Sequence, residues 1–410
     1  MTTQVSVNHA TMHEMNIALV LNTLRLHAPI SRAEIATRTG LNKTTVSSIV
    51  RTLLDNAFVC EIGSNSTTEV GRPSVNLTLN SEAGYIISGE MAVNATTVIA
   101  TDFGLNVVAR RQERIQHHSS AEAILEHTIV LFKEVLETVE ATGKPIFGLS
   151  LGVPGLISSD GILLFAPNLG WRDIPILALL QQHFDLPYLF VDNEANMAAQ
   201  CEGYQGPFRN SPSLICIVAD IGIGGGILLN HRLETGIGGL AGEIGHMTVV
   251  PDGEQCNCGN IGCWETVAAE HAVFRRIERA IHAGQPTRLI EMTGNDMAQL
   301  SIPLIVQAAL QGDEVAHHSL EETGYWLGVG IANLVNIFNP EHVILTGSLS
   351  LAHEFVLPVV KDVVARRALN KPGEQAQVTV SEHYVEATLI GGAAMIHDAV
   401  IQNPSQWLFS

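Results

Sequence analysis

Three of the six cysteines in this 410-residue chain fall within eight residues, at Cys256, Cys258 and Cys263, and His246 stands ten positions before the first. Thiolate and imidazole are ligands that zinc favours, and three cysteines with one histidine complete a tetrahedral structural site. Gly253, Gly259 and Gly262 punctuate the stretch and let neighbouring ligands converge. The alternative is three buried thiols and a surface histidine; the spacing favours zinc, in a structural role. Glu243 and Glu265 bracket the cluster, which places a polar ligand site beside the metal.

The rest of the chain must position that segment. Hydrophobic residues make up 46% and charged ones 15%, with 36 glycines, the texture of a well-packed globular protein of two or three domains. No apolar run reaches the roughly eighteen residues that span a bilayer, and the N-terminus has neither a basic start nor an apolar signal core, so no membrane partner is expected. Cys60, Cys201 and Cys216 are scattered and read as buried free thiols, which fits a reducing cytoplasm. Net charge is −19, but residues 1–80 carry +1 and the remaining 330 carry −20. A near-neutral head on an acidic body reads as two functions in series, and the acidic body disfavours non-specific DNA binding.

In the head, Ile17, Val20, Leu21 and Leu24 mark one face of a first helix, which Pro29 breaks. Ser31-Arg32-Ala33-Glu34 is a capping box that opens a short second helix, Gly40 allows a sharp turn, and Asn42 caps a third. That third helix has Val46, Ile49, Val50, Leu53 and Leu54 on its apolar face and Lys43, Thr44, Thr45, Ser47, Ser48 and Arg51 on the other. The order is that of a helix-turn-helix whose third helix reads the major groove. Val59 to Ile62 and Val75 to Leu79 alternate like two strands around a loop ending Gly71-Arg72-Pro73, a wing that offers Arg72 to a phosphate or a narrow minor groove. Arg32, Asn42, Lys43, Thr44, Thr45, Ser47, Arg51 and Arg72 are the candidate DNA-contacting residues; the alternative is a three-helix bundle that mediates protein contacts. From about Tyr85, short β runs alternate with amphipathic helices and suggest two α/β lobes flanking a cleft.

Five motifs then converge. Gly152-Val153-Pro154-Gly155, Asp192-Asn193-Glu194-Ala195-Asn196, Gly222-Ile223-Gly224-Gly225-Gly226, Glu243-Ile244-Gly245-His246 and Cys256-x-Cys258-x4-Cys263-x-Glu265 resemble those of the ROK family (repressors, open reading frames and kinases). The resemblance spans most of the body and lies nearest the family's xylose-repressor group. It implies an N-terminal winged helix-turn-helix, residues 1–82, followed by a two-lobed actin-like, sugar-kinase fold. One lobe is expected over 83–192 plus 388–410, and the other, with the zinc site, over 193–387. It further implies that Gly155, Asn193, Glu194, Glu243, His246 and Glu265 bind a sugar, xylose or another monosaccharide. His246 would hold zinc with one ring nitrogen and face the sugar with the other, or serve the metal alone; Trp264 reads as core.

The chain also departs from the family's kinases. The first phosphate loop, Asp-x-Gly-Gly-Thr in kinases, reads Glu90-Met91-Ala92-Val93-Asn94, and the second places Asp220 and Ile221 before Gly222. Without those glycines the backbone cannot cradle a phosphate closely. Glu194 stands where a kinase has its catalytic Asp, and a displacement of about 1 Å can cost roughly a hundredfold in rate. The expectation is a sensor without catalytic residues: a repressor, dimeric or tetrameric, that binds a palindromic operator and changes its DNA affinity when sugar closes the cleft. The alternatives are a sugar kinase with a DNA-binding head, and a repressor controlled by a protein partner.

Overall fold

The apolar stripe of the first helix is the face that the structure buries: Ile17, Val20, Leu21 and Leu24 of α1 (His9–His27) are fully enclosed. The structure is a computed structural model, and it describes residues 9–64, 75–93, 95–115 and 120–408. Helix α2 (Arg32–Thr39) opens on the full capping box, with Ser31 Oγ accepting from the Glu34 N–H and the Glu34 carboxylate accepting from the Ser31 N–H at 2.8 Å. Gly40 ends it at φ 71°, a conformation glycine adopts without strain. Asn42 caps α3 (Lys43–Asp55) through the Thr45 N–H at 2.8 Å. Val46, Ile49, Val50 and Leu53 are buried beneath α3, and Leu54 is half-buried. Strand β1 (Ile30–Ser31) pairs with β3 (Val75–Leu79), which pairs in turn with β2 (Val59–Ser64), the hairpin expected of a wing. The hairpin's tip, and with it Arg72, lies outside the described residues.

Two five-stranded sheets build the body. The first has the order β11-β7-β4-β5-β6, from β4 (Tyr85–Met91), β5 (Ala95–Asp102), β6 (Val107–Arg114), β7 (Ile146–Val153) and β11 (Tyr188–Asn193). Between β7 and β11 come a small sheet of β8 (Leu156–Ile157), β9 (Leu163–Ala166) and β10 (Trp171–Ile174), and helix α5 (Ile176–His183). The second large sheet runs β14-β13-β12-β15-β16, from β12 (Ser213–Ala219), β13 (Ile223–Leu229), β14 (Arg232–Leu233), β15 (His342–Thr346) and β16 (Gln377–Val380). Helix α4 (Ala121–Glu140) covers one face of the first sheet, and α6 (Glu194–Tyr204) one face of the second. The segment between β14 and β15 supplies α7 (Glu265–Ala268), α8 (Glu270–His282), α9 (Leu289–Met292), α10 (Ile302–Leu310) and α11 (Glu314–Phe338). Helices α12 (His353–Arg367) and α13 (Asn370–Gln375) precede β16, and α14 (Ala387–Gln402) returns to the first sheet.

The period of two along β12 divides the second core. Leu214, Cys216 and Val218 face α6, while Ile215, Ile217 and Ala219 face the core of α7 to α12, where Trp264 is fully buried. A Cβ on Gly330 would lie 2.1 Å from the Trp264 ring, so Trp264 is core, as its sequence context indicates. The layers stack as first sheet, α14, α6, second sheet. Helix α14 contains both Gly391 and Gly392. They serve helix packing rather than punctuation: a Cβ on Gly391 would sit 1.7 Å from the Met197 carbonyl oxygen in α6. The head is no tethered bead either. Ile17, Leu21, Leu24 and Phe58 share one apolar cluster with Ile86, Phe103 and Phe147 of the first lobe and Ile396 and Val400 of α14.

Candidate functional site

The loop between β14 and α7 folds back on itself through the bridges Thr248–Cys263 and Gln255–Ile261, and this draws the four candidate metal ligands together. Ligand atoms of His246, Cys256, Cys258 and Cys263 all lie within 4.8 Å of one another. Cys258 Sγ is 3.7 Å from Cys263 Sγ, and His246 Nδ1 is 3.6 Å from Cys256 Sγ. Zinc–sulfur bonds of about 2.3 Å at tetrahedral angles separate two sulfurs by about 3.8 Å, so the donor set fits zinc in type and spacing. The Cys256 thiol donates to Glu265 Oε1 at 2.8 Å, and burial pushes that thiol's pKa up. His246 turns its other nitrogen, Nε2, toward Glu243 at 3.8 Å.

A cavity of about 300 Å³ lies between the sheets, against this loop. It is lined by all six residues named above as sugar ligands: Gly155, Asn193, Glu194, Glu243, His246 and Glu265. Local folding explains their placement. Gly155 has φ 121°, and a Cβ there would meet the Phe165 carbonyl oxygen at 2.5 Å, so the close approach it permits includes β9. Asn193 caps α6, with Oδ1 accepting from the Ala195 N–H at 2.8 Å while Nδ2 donates to the Gly155 carbonyl at 2.9 Å. One hydrogen and one lone pair of its amide remain for a ligand. Half-buried Asp192 accepts from Asn193 N and Asn196 Nδ2 and holds the start of α6 in place. One carboxylate oxygen of Glu194 is buried without a hydrogen-bond partner, which suits a hydroxyl donor; burial raises its pKa well above the ordinary value. Asn168 and Phe165, which carry no motif in the sequence, complete the wall from β9 and the turn after it. Arg172 lies over the Phe165 ring at 3.9 Å and is absent from the lining.

The other end of the cleft is different. Glu90, Asp220 and Glu270 converge there with Ser348, whose hydroxyl donates to Glu270 Oε2 at 2.6 Å. Burial, then the neighbouring Asp220, lifts both Glu90 and Glu270 to about 7, and burial raises Asp220 itself. Glu90 and Asp220 line both the larger cavity and a smaller one of about 120 Å³, which is flanked by Gly347 and by Arg110, itself paired with Glu386.

On the head, Lys43, Thr44, Ser47 and Arg51 are exposed along one side of α3, with Asn42 exposed at its N-terminus and Thr45 half-buried. Arg51 lies 3.9 Å from Asp55, while Arg32 pairs with Glu61 of β2 at 3.0 Å and so braces the wing to α2.

A winged helix fused to a two-lobed body with a sugar-sized cavity defines the class. Residues 90–399 match the ROK family, and residues 19–56 match a winged helix-turn-helix DNA-binding family. The chain is 31% identical to the xylose repressor of Bacillus subtilis, over 94% of this chain and 95% of that protein. It is 33% identical to the xylose repressor of Caldicellulosiruptor bescii, over 97% and 99% respectively. Among solved structures, a ROK family transcriptional regulator described as a homolog of the E. coli MLC protein superposes with a TM-score of 0.81 at 26% identity, covering 97% of this chain and all (100%) of that one. A ROK family glucokinase from Streptomyces griseus, in complex with glucose and AMPPNP, gives 0.70 at 29% identity over 76% of this chain and 99% of that one. The chain belongs to the ROK family.

Proposed function

We infer that the protein is a sugar-responsive transcriptional repressor: the winged helix binds an operator, and a monosaccharide in the interlobe cavity lowers its DNA affinity. One observation carries this reading. Acceptors suited to sugar hydroxyls surround the 300 Å³ cavity, in a chain whose DNA-reading helix shares a core with one wall of that cavity's cleft. A pocket built to accept hydroxyl hydrogen bonds also rejects ligands that lack them. The two xylose repressors among its relatives make D-xylose the first ligand to test. The N-acetylglucosamine repressor of Escherichia coli O157:H7, 27% identical over 95% of this chain and 93% of its own length, makes N-acetylglucosamine the second.

Zinc, held by His246, Cys256, Cys258 and Cys263, would fix the loop that presents Glu243 and Glu265, and with it the His246 ring. The residues that bind sugar would be Gly155, Asn193, Glu194, Glu243, His246 and Glu265. Those that meet DNA would be the exposed groups of α3 with Asn42, Arg32 and Arg72. The protein acts in the cytoplasm as a dimer or tetramer, because a palindromic operator requires two heads at a fixed separation. It is not a kinase, since three carboxyl groups crowd the place where a triphosphate would lie.

A thermal-shift screen against pentoses, hexoses, amino sugars and MgATP tests this reading. A ligand at a hundred times its dissociation constant stabilises by about 2.7 kcal/mol. Stabilisation by one sugar, with release of operator DNA on its addition, is the expected result. Stabilisation by MgATP, or silence toward every sugar, would overturn it.

A further inference from the structure

The head belongs mechanically to the first lobe. Its core residues Ile17, Leu21, Leu24 and Phe58 are continuous with Phe103 and Phe147, and α1 packs on α14. Phe58, three residues beyond the end of α3, meets the Phe103 ring edge-on at 5.5 Å. Any lever that turns the head relative to the cleft must therefore come from the second lobe.

Helix α6 packs between α14 and the sheet of that lobe. It lies on β12 and β13 so closely that a Cβ on Gly226 would stand 2.2 Å from the Ala195 carbonyl oxygen. Its first residue, Glu194, is in the sugar cavity, and its last, Tyr204, reaches the head. Eleven residues of helix separate the two ends by about 16 Å. At the far end, Arg25 of α1 donates through Nη1 to the Tyr204 carbonyl at 2.7 Å, and its guanidinium lies 3.9 Å from the centre of the Tyr204 ring. The carbonyl is among the last of α6, where the helix dipole is negative and no partner within the helix exists, so Arg25 caps α6 from outside. Asn22 orients the cap by accepting from Arg25 Nε at 3.0 Å. Tyr204 in turn hydrogen-bonds His397 Nδ1 of α14 at 2.7 Å, and the His397 ring packs 4.3 Å from Phe103.

We propose that Arg25 and Tyr204 are the positioning residues that couple the sugar cavity to the DNA-binding head. Helix α6 moves with the second lobe, and the Arg25–Tyr204 contact converts that movement into a change in the angle of α1. That movement has to displace the close contact between α6 and α14, where Gly391 meets Met197. This inference rests on the repressor reading above.

The test uses the full-length protein, operator DNA selected by that protein from a random duplex pool, and D-xylose as the probe. Operator affinity is measured by fluorescence anisotropy with and without D-xylose, and D-xylose affinity by calorimetry with and without operator. The two ratios must agree in wild type, because coupling is reciprocal. Arg25→Gln is expected to reduce the coupling ratio at least fivefold, with each affinity measured alone staying within about threefold of wild type; couplings of about 5- to 150-fold make that loss readable. Arg25→Lys, which keeps the charge and the stem, should restore part of it, and Tyr204→Phe should give an intermediate value by removing the bond to His397. A merely structural contact would lower both affinities and leave their ratio alone.

An unchanged ratio in folded Arg25→Gln overturns the proposal. Should that variant lose its cooperative melting transition, Tyr204→Phe decides in its place, and an unchanged ratio there overturns it equally. A wild type that neither binds D-xylose nor releases operator with it overturns the xylose reading and this inference with it. A responsive wild type with indifferent variants overturns the inference alone.

Discussion

The two ends of the interlobe cleft have been treated oppositely. At the zinc-loop end, Asn193, Glu194, Glu243, His246 and Glu265 surround 300 Å³ of space, and each offers an acceptor or an adaptable polar atom. At the other end, Glu90 and Asp220, which also line that cavity, border a second one of 120 Å³, Asp220 lies against both Glu90 and Glu270, and Arg110 pairs with Glu386. Acids spaced around a cavity serve hydroxyl donors. Acids pressed together repel phosphate and shift their own pKa values upward instead. A fold similar to that of a glucokinase thus carries two differently furnished ends of one cleft.

The sharpest way to break this contrast is to remove the support of the sugar half. Cys258→Ser should lower bound zinc from about one per chain to none and abolish the thermal response to sugar. Metal analysis and thermal shift check it, and a metal-free variant with an intact sugar response would separate the two sites. Next in size is Glu243→Gln. Replacing a charged acceptor of a sugar hydroxyl should weaken sugar binding by about 10- to 100-fold and leave operator affinity without sugar unchanged. Calorimetry reads the first and anisotropy the second; equal losses in both would mean that Glu243 supports the fold rather than the ligand.

Where sequence reasoning succeeded, the physics was local. Ser31 and Glu34 sit one turn apart, Asn42 stands three residues from the N–H it caps, and the apolar period of α3 lies within thirteen residues. The four candidate metal ligands are similarly close in sequence, and the motif residues that line the cavity travel as short blocks. What escaped was assembled over distance. Arg25 and Tyr204 are 179 residues apart, and Glu90, Asp220 and Glu270 come from three segments. Asn168 carries no motif and reaches the cavity only because the turn after β9 folds over it. The role of Gly391 and Gly392 is hidden for a different reason. Glycine in isolation reads as a break, and its role at a backbone-to-backbone helix contact appears only once the neighbouring helix is known.

The smallest effect concerns the closed half of the cleft and has a definite sign. Glu90 and Glu270 are lifted to about 7 from an ordinary 4.5, so the folded chain binds protons there that the unfolded chain has released. A carboxyl group of this kind stabilises the fold fully below its unfolded pKa, and that contribution fades as pH rises through the folded value. Stability from this cluster is therefore present near pH 5 and lost toward pH 8. Glu270→Gln keeps an oxygen to accept from Ser348 and removes the charge that Asp220 opposes. At pH 5 the variant should melt with wild type. At pH 8 it should melt higher, by about 1 °C for each kcal/mol of relieved repulsion in a chain of this size, and about 1 kcal/mol is expected after solvent screening. The difference between the two melting curves cancels the histidines elsewhere in the chain, so only the cluster contributes to it. Parallel curves from pH 5 to 8 would mean that the three acids do not share their charge, and the closed half of the cleft would then have to exclude phosphate by shape alone.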